Sequence, residues 1–148
     1  MRRSAAVLAC AVATAAAGCG NGNKGLTRIE YAQRSDAICA RYNQQTARLQ
    51  APGTGVTHLA SIAEQTLALF DPVRDRLRAV PPPRDATALA ERWLASLDRL
   101  RGDVVRIRDA ARANDLATVR TAGLVAQRDN DASNRLAQRL GMVACSAG

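Results

Sequence analysis

The chain has 148 residues, a length that suits one domain. Its formal net charge is +8, yet aromatic residues make up only 3% and there is a single histidine. So few rings exclude a base-stacking surface, and one histidine excludes a histidine-rich metal site or a triad with spare candidates.

Met1-Arg2-Arg3 is a short positive start. Residues 4–17 are apolar and alanine-rich, long enough for a signal h-region and too short to span a bilayer comfortably. Ala15-Ala16-Ala17-Gly18-Cys19 follows, and this stretch resembles a bacterial lipobox. Ala16 stands where that pattern usually has Leu or Val. The resemblance implies that residues 1–18 are a lipoprotein signal peptide. Cys19 would receive a diacylglycerol through a thioether, and signal peptidase II would cut before it. Two acyl chains supply the double anchor that stable attachment requires. Gly20-Asn21-Gly22-Asn23-Lys24-Gly25 matches G-x-G-x-x-G only formally, because that fingerprint needs a strand before it and a helix after it. Residues 19–26 therefore read as a flexible tether.

Residues 27–148 form the expected folded domain. Thr27-Arg28-Ile29-Glu30 has the form of a capping box, which starts a first helix. Ala32, Ser35, Cys39, Tyr42, Thr46 and Leu49 then recur at steps of three and four, flanked by Tyr31 and Ile38. Ala51-Pro52-Gly53 stops that helix. A second helix is expected over about 56–80, with the stripe Leu59, Ile62, Thr66, Leu69, Val73, Leu77 and Val80. Pro72 interrupts it, so either a kink or a restart capped by Asp71 is expected. Pro81-Pro82-Pro83 makes a stiff corner.

The third helix, over about 85–113, is the most regular. Leu89, Trp93, Leu97, Leu100, Val104, Ile107 and Ala111 form its stripe. Off the stripe, Arg99–Asp103 and Asp109–Arg112 have the spacing of intrahelical ion pairs, worth only tenths of a kcal/mol each. Asn114-Asp115 turns the chain, with Asp115 as cap. The fourth helix, 116–140, carries Leu116, Val119, Gly123, Ala126, Asn130, Ser133, Ala137 and Leu140, and Gly141 ends it. Asn130 on an otherwise small or apolar stripe needs a partner if buried.

Of the four cysteines, Cys10 leaves with the leader and Cys19 takes lipid. Cys39 and Cys145 remain as an even pair in an oxidising compartment. A disulfide is the natural reading; free thiols or a metal pair are the alternatives. Asp129-Asn130-Asp131-Ala132-Ser133 opens like a calcium loop, but Asn134 stands where glycine is needed and Leu140 where a bidentate glutamate belongs. His58 reads as a lone surface histidine. Neither a catalytic residue nor a metal site nor a cofactor is expected.

These readings converge on an all-α domain, a four-helix antiparallel up-down-up-down bundle with one disulfide. Asp36-Ala37-Ile38-Cys39 in the first helix and Leu140-Gly141-Met142-Val143-Ala144-Cys145 at the end give a "D-x-I-C" matched by an "L-G-x-x-x-C". That pattern is similar to small helical lipoproteins of actinobacteria. The resemblance implies export and lipid anchorage at the outer face of the cytoplasmic membrane. The expected function is a non-enzymatic binding or interaction module. Its partners would be membrane lipid through Cys19 and an envelope protein or anionic envelope polymer, and not nucleic acid. The alternative is a small-ligand sensor with a cavity near Asn130, Trp93 and Gly123.

Overall fold

In a computed structural model of the chain, which describes residues 25–49 and 54–147, Thr27 opens α1 (Arg28–Thr46) through the expected capping box. The Glu30 amide donates to Thr27 Oγ1 at 3.2 Å, and Glu30 Oε2 accepts from the Thr27 amide at 2.8 Å. These bonds satisfy two backbone donors that a helix start otherwise leaves unpaired. The leader, Cys10, Cys19 and the tether through Lys24 lie outside the described residues, as does the stop at Ala51-Pro52-Gly53.

Three longer helices follow: α2 (Gly55–Arg78), α3 (Thr87–Arg112) and α4 (Leu116–Arg139). α2 runs unbroken through Pro72, so the restart at Asp71 does not occur. Pro72 is exposed, and Asp71 is engaged elsewhere. Arg101 of α3 reaches it with two bonds, Nε at 2.7 Å and Nη2 at 3.0 Å. That paired guanidinium holds the Asp71 carboxyl below the usual carboxylate range. The proline corner turns the chain into α3. It also fixes the beginning of the domain, since the Arg84 amide donates to Leu26 O at 3.2 Å. At the other end of α3, Asn114 takes the left-handed conformation, φ 57°. Asp115 then caps α4 as expected, accepting from the Thr118 amide at 3.0 Å.

The four helices pack as an antiparallel bundle, with α3 against both α2 and α4. α1 is the short member and packs mainly on α2 and on the C-terminal tail. Gly141, at φ +82°, turns that tail back beneath α1, a conformation that glycine adopts without penalty. The tail closes in a single 3-10 turn, Ala144–Ser146, which touches both α1 and α4. Tyr31, Leu77, Trp93, Ala137, Leu140 and Met142 are the heart of the core. The Tyr31 and Trp93 rings meet edge to face, 6.4 Å apart.

The tail is held in three ways. Cys39 and Cys145 form a disulfide, with sulfurs 2.06 Å apart. Asp36 accepts two backbone bonds from the tail, from the Val143 amide at 2.8 Å and the Cys145 amide at 3.0 Å. Asn43 Nδ2 donates to Ala144 O at 3.0 Å. The Asp36-x-x-Cys39 spacing thus has a physical reason. One turn of α1 presents both the carboxylate that caps the tail and the sulfur that crosslinks it.

Several stripe positions shift from the expected ones. In the first half of α2, Ala60, Ala63 and Leu67 are buried, one residue along from Leu59, Ile62 and Thr66. Leu116 is exposed, because α1 ends at Thr46 and leaves the upper turns of α4 with fewer neighbours. The arginines of the two pairs expected along α3 reach other helices instead. Arg99 reaches Asp129 of α4 at 3.7 Å, and Arg112 reaches Glu64 of α2 at 2.7 Å.

Asp103, freed from Arg99, is buried at 6% exposure, and its Oδ2 has no hydrogen-bond partner among the described residues. Burial and the nearby Asp129 raise its pKa, against weaker pulls from Arg106 and Arg99. The folded state therefore keeps this proton to higher pH than the unfolded chain. The resulting stability is complete below the ordinary carboxylate pKa and falls as pH rises through the folded value. Asp103→Asn is expected to raise the melting temperature at pH 7 and to lose that advantage toward pH 4. Thermal melts of both proteins across that range check the sign.

Candidate functional site: a cavity between α1 and the rest of the bundle

The short, displaced α1 leaves a cavity of about 450 Å³, partly open to solvent. This is within the range of small-molecule pockets. Each helix contributes a wall. α1 gives Cys39, Tyr42, Asn43 and Thr46, and α2 gives Ile62, Thr66, Phe70 and Val73. Trp93, Leu97, Leu100 and Val104 come from α3, and Asn130, Ser133 and Asn134 from α4. The tail closes one side with Ala144 and Cys145.

The wall is chiefly apolar. Tyr42 lies against Phe70 with ring centroids 5.7 Å apart, and burial raises the Tyr42 phenol above its ordinary value, so it stays neutral at physiological pH. The polar groups are amides and hydroxyls. Ser133 is tied into α3, with Ser96 Oγ 3.0 Å from Ser133 Oγ and 2.5 Å from Trp93 O. Asn43 is tied to the tail. Among the described residues that line the cavity there is no Arg, Lys, Asp, Glu or His. In a chain with 21 basic and 13 acidic residues, that is a sharp segregation of charge. The ion pairs occupy the outer faces instead.

Trp93 and Asn130, two of the three residues expected from sequence, line this cavity. Gly123 does not. It lies further toward the start of α4, and a Cβ added there would meet nothing within 4 Å. The small-residue stripe misled here, because a stripe gives a face but not a height along the bundle. Tyr42, Thr46 and Thr66 are cavity residues that the sequence reading placed simply on core stripes, and Asn43 was not singled out. Their signal was present as polar or hydroxyl-bearing positions at core spacing.

Asp129–Ser133 lies within continuous α4, with Asp129 paired to Arg99, so it forms a polar helix face. Among the described residues no group of three or more His, Cys, Asp or Glu could hold a metal ion. His58 sits in the first turns of α2, away from the cavity lining. No helix among the described residues is long and apolar enough to cross a membrane. Comparison with protein families, with curated proteins and with solved structures finds no match to this chain.

Proposed function

We propose that this is a membrane-anchored envelope lipoprotein whose helical domain holds a small apolar ligand without catalysing its reaction. The observation that carries the ligand reading is the cavity. Its wall is chiefly apolar and it is partly open to solvent, so an apolar occupant would bury surface that water otherwise wets. The sensor reading gains over a pure interaction module, because Trp93 and Asn130 both line one internal cavity. The exposed large apolar residues, Ile29, Leu116, Leu124 and Val143, are scattered over α1, α4 and the tail. Single exposed apolar residues need no partner to explain them. Around the cavity the titratable wall group is the neutral Tyr42, which supports binding rather than acid–base chemistry.

The anchored part of the proposal rests on the lipobox resemblance at Cys19 and on where the chain enters the domain. Leu26 is fixed to the proline corner, and Arg84, Arg92 and Arg139 lie at that end beside the Arg28–Asp85 ion pair. Basic groups near a tether favour an anionic lipid surface. Lipidated protein is expected in the membrane fraction with added acyl mass on Cys19, and Cys19→Ala should move it to the soluble fraction. If Cys19→Ala stays equally membrane-bound, the anchorage reading fails. Organic-solvent extracts of envelope-purified protein, examined by mass spectrometry, test the ligand reading: a stoichiometric apolar compound is expected.

A further inference from the structure

The chain enters its folded domain at a basic end. The Arg84 amide donates to Leu26 O, and Gly25 lies so close to the proline corner that an added Cβ would meet Pro82 O at 2.9 Å. Arg84 in that corner, Arg92 in the second turn of α3 and Arg139 at the end of α4 border one open surface pocket. All three are exposed, and none makes an ion pair among the described residues. Asp85, the acid that lines the pocket, pairs with Arg28 at 3.0 Å. Glu30, at the same end, accepts from the Thr27 amide at 2.8 Å, and Glu91 is exposed beside Arg92 but outside the pocket lining. Along the α2–α3 face, by contrast, Arg74, Arg78 and Arg101 are engaged by Asp71 and Asp98. An exposed guanidinium without a carboxylate can meet a phosphate, whose oxygens match its fork of donors. Cys19 to Lys24 is six residues, so a lipid on Cys19 lies at most about 25 Å from this corner.

We infer that this end of the bundle docks on the anionic headgroups of the membrane, with Arg84, Arg92 and Arg139 meeting lipid phosphates. This rests on the anchorage reading above and adds to it which face of the domain lies on the lipid. Salt screens a few exposed arginines strongly, but a short tether keeps their local concentration at the surface high. Docking is therefore a second hold that needs the lipid anchor, and Cys19→Ala still leaves the membrane. The bundle then stands on the end where α2 and α4 finish and α3 starts. The half-exposed cavity residues Thr46, Ile62 and Val104 lie toward the other end. Ile62, for example, is roughly 24 Å along α2 from Arg78. That part of the cavity is held clear of the bilayer.

The test uses the lipidated protein purified from the envelope and reconstituted into vesicles of phosphatidylglycerol or of phosphatidylcholine, read by amide hydrogen exchange. No side chain caps the start of α3, so its first amides, Thr87 and Ala88, exchange quickly in water and report on docking. They are expected to exchange about tenfold more slowly on phosphatidylglycerol than on phosphatidylcholine. The difference should vanish at about 0.5 M salt, where the Debye length shrinks to a few ångströms. Amides at the start of α4, at the opposite end, should exchange alike on both lipids. The triple variant Arg84→Glu/Arg92→Glu/Arg139→Glu should abolish the slowing. Arg106→Glu/Arg120→Glu/Arg128→Glu changes the net charge equally on exposed positions away from that end, and should keep it. The salt dependence is read on the native side chains, so it decides the matter even if a variant does not fold. Equal exchange on the two lipids, in protein that floats with both, overturns the docking and leaves the anchorage reading standing. Slowing confined to the start of α4 overturns it too, because another face would then lie on the lipid. The same slowing with inorganic phosphate on phosphatidylcholine vesicles overturns the bilayer as the partner. Protein that floats with neither vesicle overturns the anchorage reading itself.

Discussion

Reducing the Cys39–Cys145 bridge is expected to lower the melting temperature on the order of 15 °C, the largest stability effect available from a single bond in this chain. The two cysteines are 106 residues apart, so the bridge closes a loop that contains nearly the whole bundle. Closing a loop of that length restricts the unfolded chain by about 4–5 kcal/mol in the chain-entropy account. That is a large share of the roughly 5–15 kcal/mol that stabilises a domain. The bridge also acts locally. Without it, the tail is held by Asp36 and Asn43 alone, and those bonds lie at the surface or half-buried, where water competes. Loss of the tail would take Met142 out of the core and open one side of the cavity. Cys39→Ser and Cys145→Ser should be equally destabilised, and the double variant should be no worse than either, because both remove the same bond. Thermal melts of the three variants, with and without reductant, check this. Additive losses in the double variant would mean that each sulfur contributes independently of the bridge.

The architecture was legible because it depends on local rules. Thr27 with Glu30, Asp115 with Thr118 and Gly141 at a left-handed turn are short-range signals, and each is used as expected. The cysteine pair was legible by arithmetic and the expectation of export, and the bridge is present. What escaped depends on how helices sit against one another. Asp36 stood out only as the first residue of the D-x-I-C pattern, with no role attached; its role as cap of the tail exists only because the tail folds back under α1. Arg99 and Arg112 have good intrahelical partners by spacing, yet they reach other helices, since long guanidinium side chains choose among several carboxylates at similar cost. In the first half of α2 the buried positions are one residue along from the expected stripe, and Ile62 and Thr66 of that stripe border the cavity instead, which hydrophobicity alone does not register. The cavity was half legible. Trp93 and Asn130 were marked out by their chemistry, but Gly123 was drawn in by periodicity and lies elsewhere.

Filling the cavity should abolish binding without unfolding the protein, and that pairing of outcomes is the second large effect expected. Val104 lies on the α3 wall, half-buried, facing the open volume. In a packed core, Val→Trp would overpack and cost about 1–3 kcal/mol or more. Where a void already exists, the added ring occupies it, and stability holds or rises. Val104→Trp is therefore expected to melt within a few degrees of the native protein. The measurement that bears most directly on the account is a titration with N-phenyl-1-naphthylamine, a neutral apolar probe whose fluorescence rises when it leaves water. The native full chain carrying Cys19→Ser should bind one equivalent of probe, and Val104→Trp at unchanged melting temperature should bind at least tenfold more weakly. Equal affinity in the two proteins would contradict the account, because it would place the apolar site somewhere other than between α1 and the rest of the bundle.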